Sequence, residues 1–136
     1  MFRLTRPLFQ AVTKTTTGIH GIPVHPNPLP ELKATYESTL QALHSSIPET
    51  SVYRQGAEAL TLQKLKIVET VNGNIEEAEK QLDEGQIEQS LMIAKDELSL
   101  VGKMAEWKAW EPLEEKPEPG QWEYFGNTSN AVPGSS

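Results

Sequence analysis

Proline placement constrains this chain more than any other feature. Its ten prolines gather toward the two ends, and none lies between Pro48 and Pro112. A proline removes an amide donor and clashes with the preceding helical turn, so long helices belong in the proline-free middle. Residues 18–30 read Gly-Ile-His-Gly-Ile-Pro-Val-His-Pro-Asn-Pro-Leu-Pro. Four prolines there exclude a helix or a central strand, and the segment should run extended over a surface. Pro30 then suits the first turn of a helix, where a missing N–H costs nothing.

From Pro30 the apolar residues recur at helical spacing. Leu32, Tyr36, Leu40, Leu43 and Ile47 form one face, and Pro48 ends the pattern. Thr50 or Ser51 can cap a second helix. Tyr53, Ala57, Leu60, Lys64, Ile67 and Val71 share its face, widened by Leu65 and Val68. The pattern wavers at Leu60-Thr61-Leu62, where a break or kink is an option. Asn72-Gly73 stops this helix, since both residues tolerate positive φ. Asn74 with Glu77 three residues on opens a short helix with Ile75, Ala78 and Leu82 inward, and Gly85 terminates it.

The fourth helix has the most regular seam. Ile87, Leu91, Ala94, Leu98, Val101 and Ala105 alternate spacings of four and three, with Glu88, Lys95, Asp96, Lys103 and Glu106 assigned to the opposite face. Pro112 disfavours helix at Glu111 and marks its boundary. No strand pattern and no internal repeat emerges. The expected fold is an all-α, small helical bundle of three to four helices with extended N- and C-terminal arms. It divides into a basic Thr/Pro-rich arm (1–29), the bundle (30–113) and a Pro/Glu/aromatic, then polar tail (114–136).

Charge and composition remove several function classes. The net charge is −7, which argues against nucleic acid, because phosphate binding needs clustered Lys and Arg. Without cysteine there are no disulfides, thiolate zinc sites, cysteine-ligated clusters or thiol catalysis. No apolar run approaches the roughly 20 residues of a membrane span. Residues 1–30 hold Arg3, Arg6 and Lys14 but no acid, whereas all 19 acids lie from Glu31 onward. That basic, Thr-rich start has the composition of a mitochondrial targeting segment or of a disordered basic arm.

No catalytic constellation is present. Gly102-Lys103 lacks the rest of a phosphate loop, and there is no H-E-x-x-H. His20 and His25 sit in the proline-rich arm and His44 on the first helix, which suits solvated or packed histidines better than a metal site. Glu76, Glu77 and Glu79 read as a solvated helix face. Neither a cofactor nor a metal is expected, and enzymatic activity is not.

What remains is an unusual concentration of aromatics. Lys103 to Leu113 reads Lys-Met-Ala-Glu-Trp-Lys-Ala-Trp-Glu-Pro-Leu, and Trp122, Tyr124 and Phe125 follow in an otherwise hydrophilic tail. Trp107 and Trp110 are three apart and should project from one side of a continuing helix. One reading makes them the end of the core. The other makes Trp107, Trp110, Pro112, Trp122, Tyr124 and Phe125 a docking surface for a large partner, since Trp and Tyr anchors dominate many interfaces.

The Trp-Lys-x-Trp-Glu-Pro-Leu run at 107–113, followed by Gln121-Trp122, resembles the C-terminal motif of the alpha-subcomplex subunit 5 family of mitochondrial respiratory complex I, NADH:ubiquinone oxidoreductase. Thr16-Thr17-Gly18, Ile47-Pro48, Tyr53-Arg54, Leu65 with Val68-Glu69, and Gly85-Gln86-Ile87-Glu88 agree in order, so the resemblance spans residues 16–122. It implies a helical, non-catalytic accessory subunit without a redox centre. It further implies a peripheral position at the mitochondrial inner membrane on the matrix side, among other complex I subunits. The expected partner is the 30-kDa-type core subunit near the quinone-reducing module. A transient matrix assembly factor or regulatory adaptor is the alternative. The polar tail beyond Trp122 departs from the family pattern, and so does the length of the basic segment before Thr16, so neither inherits a role from it.

Overall fold

The computed structural model describes residues 14–121. These form four helices, α1 (Pro28–Ser46), α2 (Val52–Thr70), α3 (Ile75–Leu82) and α4 (Ile87–Trp107), and among the described residues there is no strand. The all-α bundle read from periodicity is therefore the observed fold. α1 is its centre: it packs along both α2 and α4, which barely meet each other, and α3 bridges them at one end.

Helix boundaries follow from local chemistry. α1 starts at Pro28, two residues before the expected Pro30, because both prolines fit a first turn that has no amide partners to lose. The Ser51 hydroxyl caps α2 by accepting from the Arg54 N–H. The Arg54 guanidinium donates back to the Ile47 carbonyl at 2.7 Å, fixing the α1–α2 corner. α2 then runs unbroken through Leu60-Thr61-Leu62. Thr61 is buried there, and its hydroxyl donates to the Ala57 carbonyl at 2.7 Å, so the expected interruption is absorbed by a side-chain bond. Asn72 (φ 48°) and Gly73 (φ 86°) turn the chain, and Asn74 caps α3 through the Glu77 N–H. α3 ends at Asp83, in the left-handed region (φ 54°), two residues earlier than the expected stop at Gly85.

The core has two parts. The larger joins Leu29, Leu32 and Tyr36 of α1 with Val68, Ala78, Leu82, Ile87 and Leu91, so α3 closes this end. The smaller is Leu43, Ile47 and Val101, with Tyr53, Met104 and Trp110 packed on it. Between them lies a polar waist where Thr35, Thr39 and Thr61 are buried. Thr35 and Thr39 donate to the carbonyls four residues back, at 2.8 and 2.9 Å. Apolar periodicity assigns Leu40 and Leu60 to the inner face. Instead Leu40 is half-buried beside Thr39, and Leu60 is 52% exposed beside Thr61. A threonine whose hydroxyl is satisfied within its own helix buries its methyl at little cost, so Thr39 and Thr61 take inward positions.

Candidate docking surface

The aromatic end of α4 does not have the shape its spacing suggests. α4 stops at Trp107 because Lys108 adopts a left-handed conformation (φ 49°, ψ 50°), with its N–H closing on the Ala105 and Met104 carbonyls. The helix therefore ends four residues before Glu111, the position where Pro112 alone would have stopped it. The reversal separates the two indoles. Trp110 folds back and is half-buried against Leu43, Ile47 and Val101. Trp107 stays on the last turn, points outward and is 64% exposed. Pro112 and Leu113 beyond the turn are exposed as well. Trp122, Tyr124 and Phe125 lie outside the described residues.

A second site joins the N-terminal arm to the start of α4. Glu88, assigned by periodicity to the solvated face, is only 4% exposed. Its carboxylate accepts from the Lys14 ammonium at 2.5 Å and from the His25 N–H at 3.2 Å. Gln86 completes the clamp, accepting from Lys14 at 3.0 Å while donating to the Thr17 carbonyl at 2.7 Å. The Thr17 hydroxyl accepts from the Ile19 N–H and donates to the Ile22 carbonyl, so residues 17–22 form a compact turn with Gly18 and Gly21 at positive φ. The arm is thus folded and pinned where an extended run was expected. Burial by itself would raise the Glu88 carboxyl, but the bonds from Lys14 and from backbone N–H groups outweigh it and hold it below its ordinary 4.5. At the same end, Glu79 of α3 accepts from the Ile87 N–H at 2.8 Å and caps α4.

The arm is tied again beside this clamp. Glu31 bridges His25 and Lys95, each at 2.5 Å. The sequence signal for the clamp was Gly85-Gln86-Ile87-Glu88, which opens a helix with two groups able to accept donors from a neighbouring strand of chain. Period counting alone could not say that the arm covers that turn. Among the described residues, no group of three or more His, Asp or Glu side chains is arranged to hold a metal ion.

These features define a small all-α bundle with an arm strapped to it by an ion pair to the buried Glu88 and an exposed indole at a helix end. Residues 21–89, from the strapped arm to the Glu88 turn, match the family described as "ETC complex I subunit conserved region". The chain is 45% identical over 124 residues to the NADH dehydrogenase (ubiquinone) 1 alpha subcomplex subunit MCI4 of Candida albicans, covering 91% of this chain and 88% of that one. It is 40% identical over 111 residues to the alpha subcomplex subunit 5 of Bos taurus, covering 82% and 94%. A probable subunit 5 of Arabidopsis thaliana is 41% identical over 105 residues, 77% of this chain and 60% of the relative. The chain belongs to the family of the NADH dehydrogenase (ubiquinone) 1 alpha subcomplex subunit 5.

Proposed function

We propose that this chain is a non-catalytic accessory subunit of mitochondrial NADH:ubiquinone oxidoreductase, supporting respiratory electron transport by stabilising the enzyme's peripheral arm. It docks on the matrix side of the inner membrane near the quinone-reducing module, with the 30-kDa-type core subunit as its principal partner. The names of its relatives support the assembly, and the observation that carries the docking surface is Trp107. A large apolar side chain is held 64% exposed on the end of a helix that Trp110 buttresses from beneath. Indoles presented on rigid supports are the usual anchors of protein interfaces, because little side-chain freedom is lost on binding. Pro112 stands beside this anchor in the chain, and Trp122, Tyr124 and Phe125 extend the aromatic set. No helix among the described residues is long and apolar enough to cross a membrane, so membrane association comes through the assembled enzyme.

Trp107→Ala tests this reading. It should leave the thermal midpoint of the free chain within the scatter expected of a surface change, about 0.5 kcal/mol. In mitochondria it should lower the fraction of chain retained on the enzyme through detergent solubilisation. Full retention of the variant would remove Trp107 as the anchor.

A further inference from the structure

Among the described residues, the space between α2 and α4 is filled at two levels. α3 fills one end and Tyr53 with Trp110 fills the other. With eight residues, α3 reaches about 12 Å along the bundle. At the waist a cleft of about 210 Å³ remains open between the two helices, with Tyr36 at its floor. This is below the roughly 300–1,000 Å³ of small-molecule sites, and is suited to one long side chain.

Its walls are apolar and face outward: Leu60 of α2 is 52% exposed and Ile93 of α4 41%. Its polar groups are unbalanced. Lys64 is already paired with Glu84. Glu97 accepts the Tyr53 hydroxyl through Oε1 at 2.6 Å, and among the described residues no cation lies within ion-pair distance of it. Tyr36 is 4% exposed, and its hydroxyl is buried with no hydrogen-bond partner. An apolar occupant would leave Glu97 without a cation, and an acidic one would meet the Glu97 charge.

We propose that this cleft is a socket for one arginine side chain presented by the apolar surface of a neighbouring subunit. The stem lies between Leu60 and Ile93, and the guanidinium donates to Glu97. A planar guanidinium fork matches the carboxylate geometry, which a lysine ammonium on a flexible stem does less well. The inference rests on the reading of the chain as an assembled subunit.

The test uses the full chain in mitochondria with a photoreactive benzoylphenylalanine at position 60, and maps the cross-linked residue by mass spectrometry. The expected capture is a peptide of another subunit of the oxidoreductase within a few residues of an arginine. Glu97→Gln, which keeps the bond from Tyr53, should cut the cross-link yield about tenfold, the loss of one charge-assisted bond, with the thermal midpoint of the free chain unchanged. Capture of this chain's own residues 122–136, of a second copy, of a peptide without a nearby arginine, or of nothing overturns the proposal, as does a yield unaffected by Glu97→Gln. If the enzyme carries the chain normally and these results follow, only the socket is refuted. If the unsubstituted chain does not travel with the enzyme, the functional reading falls with it.

Discussion

Glu88→Gln isolates the clamp that holds the N-terminal arm. The substitution preserves size and leaves an oxygen to accept the His25 N–H, so what it removes is the charge facing Lys14. Breaking a fully buried ion pair costs about 3–5 kcal/mol, while exposed pairs contribute about 0.2–1 kcal/mol. The Glu88 side chain is buried, but Lys14 is part-exposed and has Glu79 at 3.9 Å as a second partner. The expected loss is therefore about 1–2 kcal/mol, read by urea denaturation. Amide hydrogen exchange should quicken across residues 17–25 before the helices are affected. Lys14→Met should cost more, toward about 3 kcal/mol, because it leaves a buried carboxylate without a cation. The pH dependence of Lys14→Met also differs from that of the native chain. In the native chain the Glu88 value is depressed, so its stabilisation is present above 4.5 and lost as pH falls through the folded value. In Lys14→Met the bonds from the ammonium are gone and burial is opposed only by the backbone N–H bonds, so the depression shrinks and less stability is lost as pH falls through the folded value. Glu88→Gln matching the native chain in both stability and exchange would refute the clamp.

The other expectations concern the bundle. Leu43→Ala, at a fully buried position of the smaller core, should cost about 2–5 kcal/mol by chemical denaturation. Trp110→Ala should destabilise the free chain by more than 1 kcal/mol in the same assay, in contrast to Trp107→Ala, because only Trp110 covers that core. Tyr53→Phe removes the bond to Glu97 and should cost about 1 kcal/mol. Lys108→Gly should stabilise by about 0.5–1 kcal/mol in thermal melts, since glycine takes the left-handed conformation without the penalty that lysine bears. The lost Lys108–Glu111 contact, 4.0 Å long and exposed, is too weak to reverse that sign.

Period-3.6 spacing was enough to read four helices and the Ile87–Leu91–Ala94–Val101 seam, because these residues have one buried face and no competing partner. The exceptions lie with buried polar groups and with one backbone turn. Thr39, Thr61 and Ser90 are buried although polar, and the first two satisfy their hydroxyls inside their own helices, where an apolar count does not look. Glu88 is buried because Lys14, 74 positions away, answers its charge, and no local pattern reports so distant a partner. The division of labour between Trp107 and Trp110 turns on a single left-handed residue, Lys108. Lysine carries no preference for that conformation, so Pro112 looked like the helix stop and both indoles looked alike.

A structural subunit travels with the enzyme in fixed proportion, so stoichiometry is the decisive measurement. Mitochondria carrying the full-length chain are solubilised in mild detergent, resolved on a native gel and quantified by mass spectrometry across the lane. The expected result is one copy of this chain per mature NADH:ubiquinone oxidoreductase, with no larger pool elsewhere. Finding it confined to assembly intermediates, or bound to a soluble matrix protein, would contradict it.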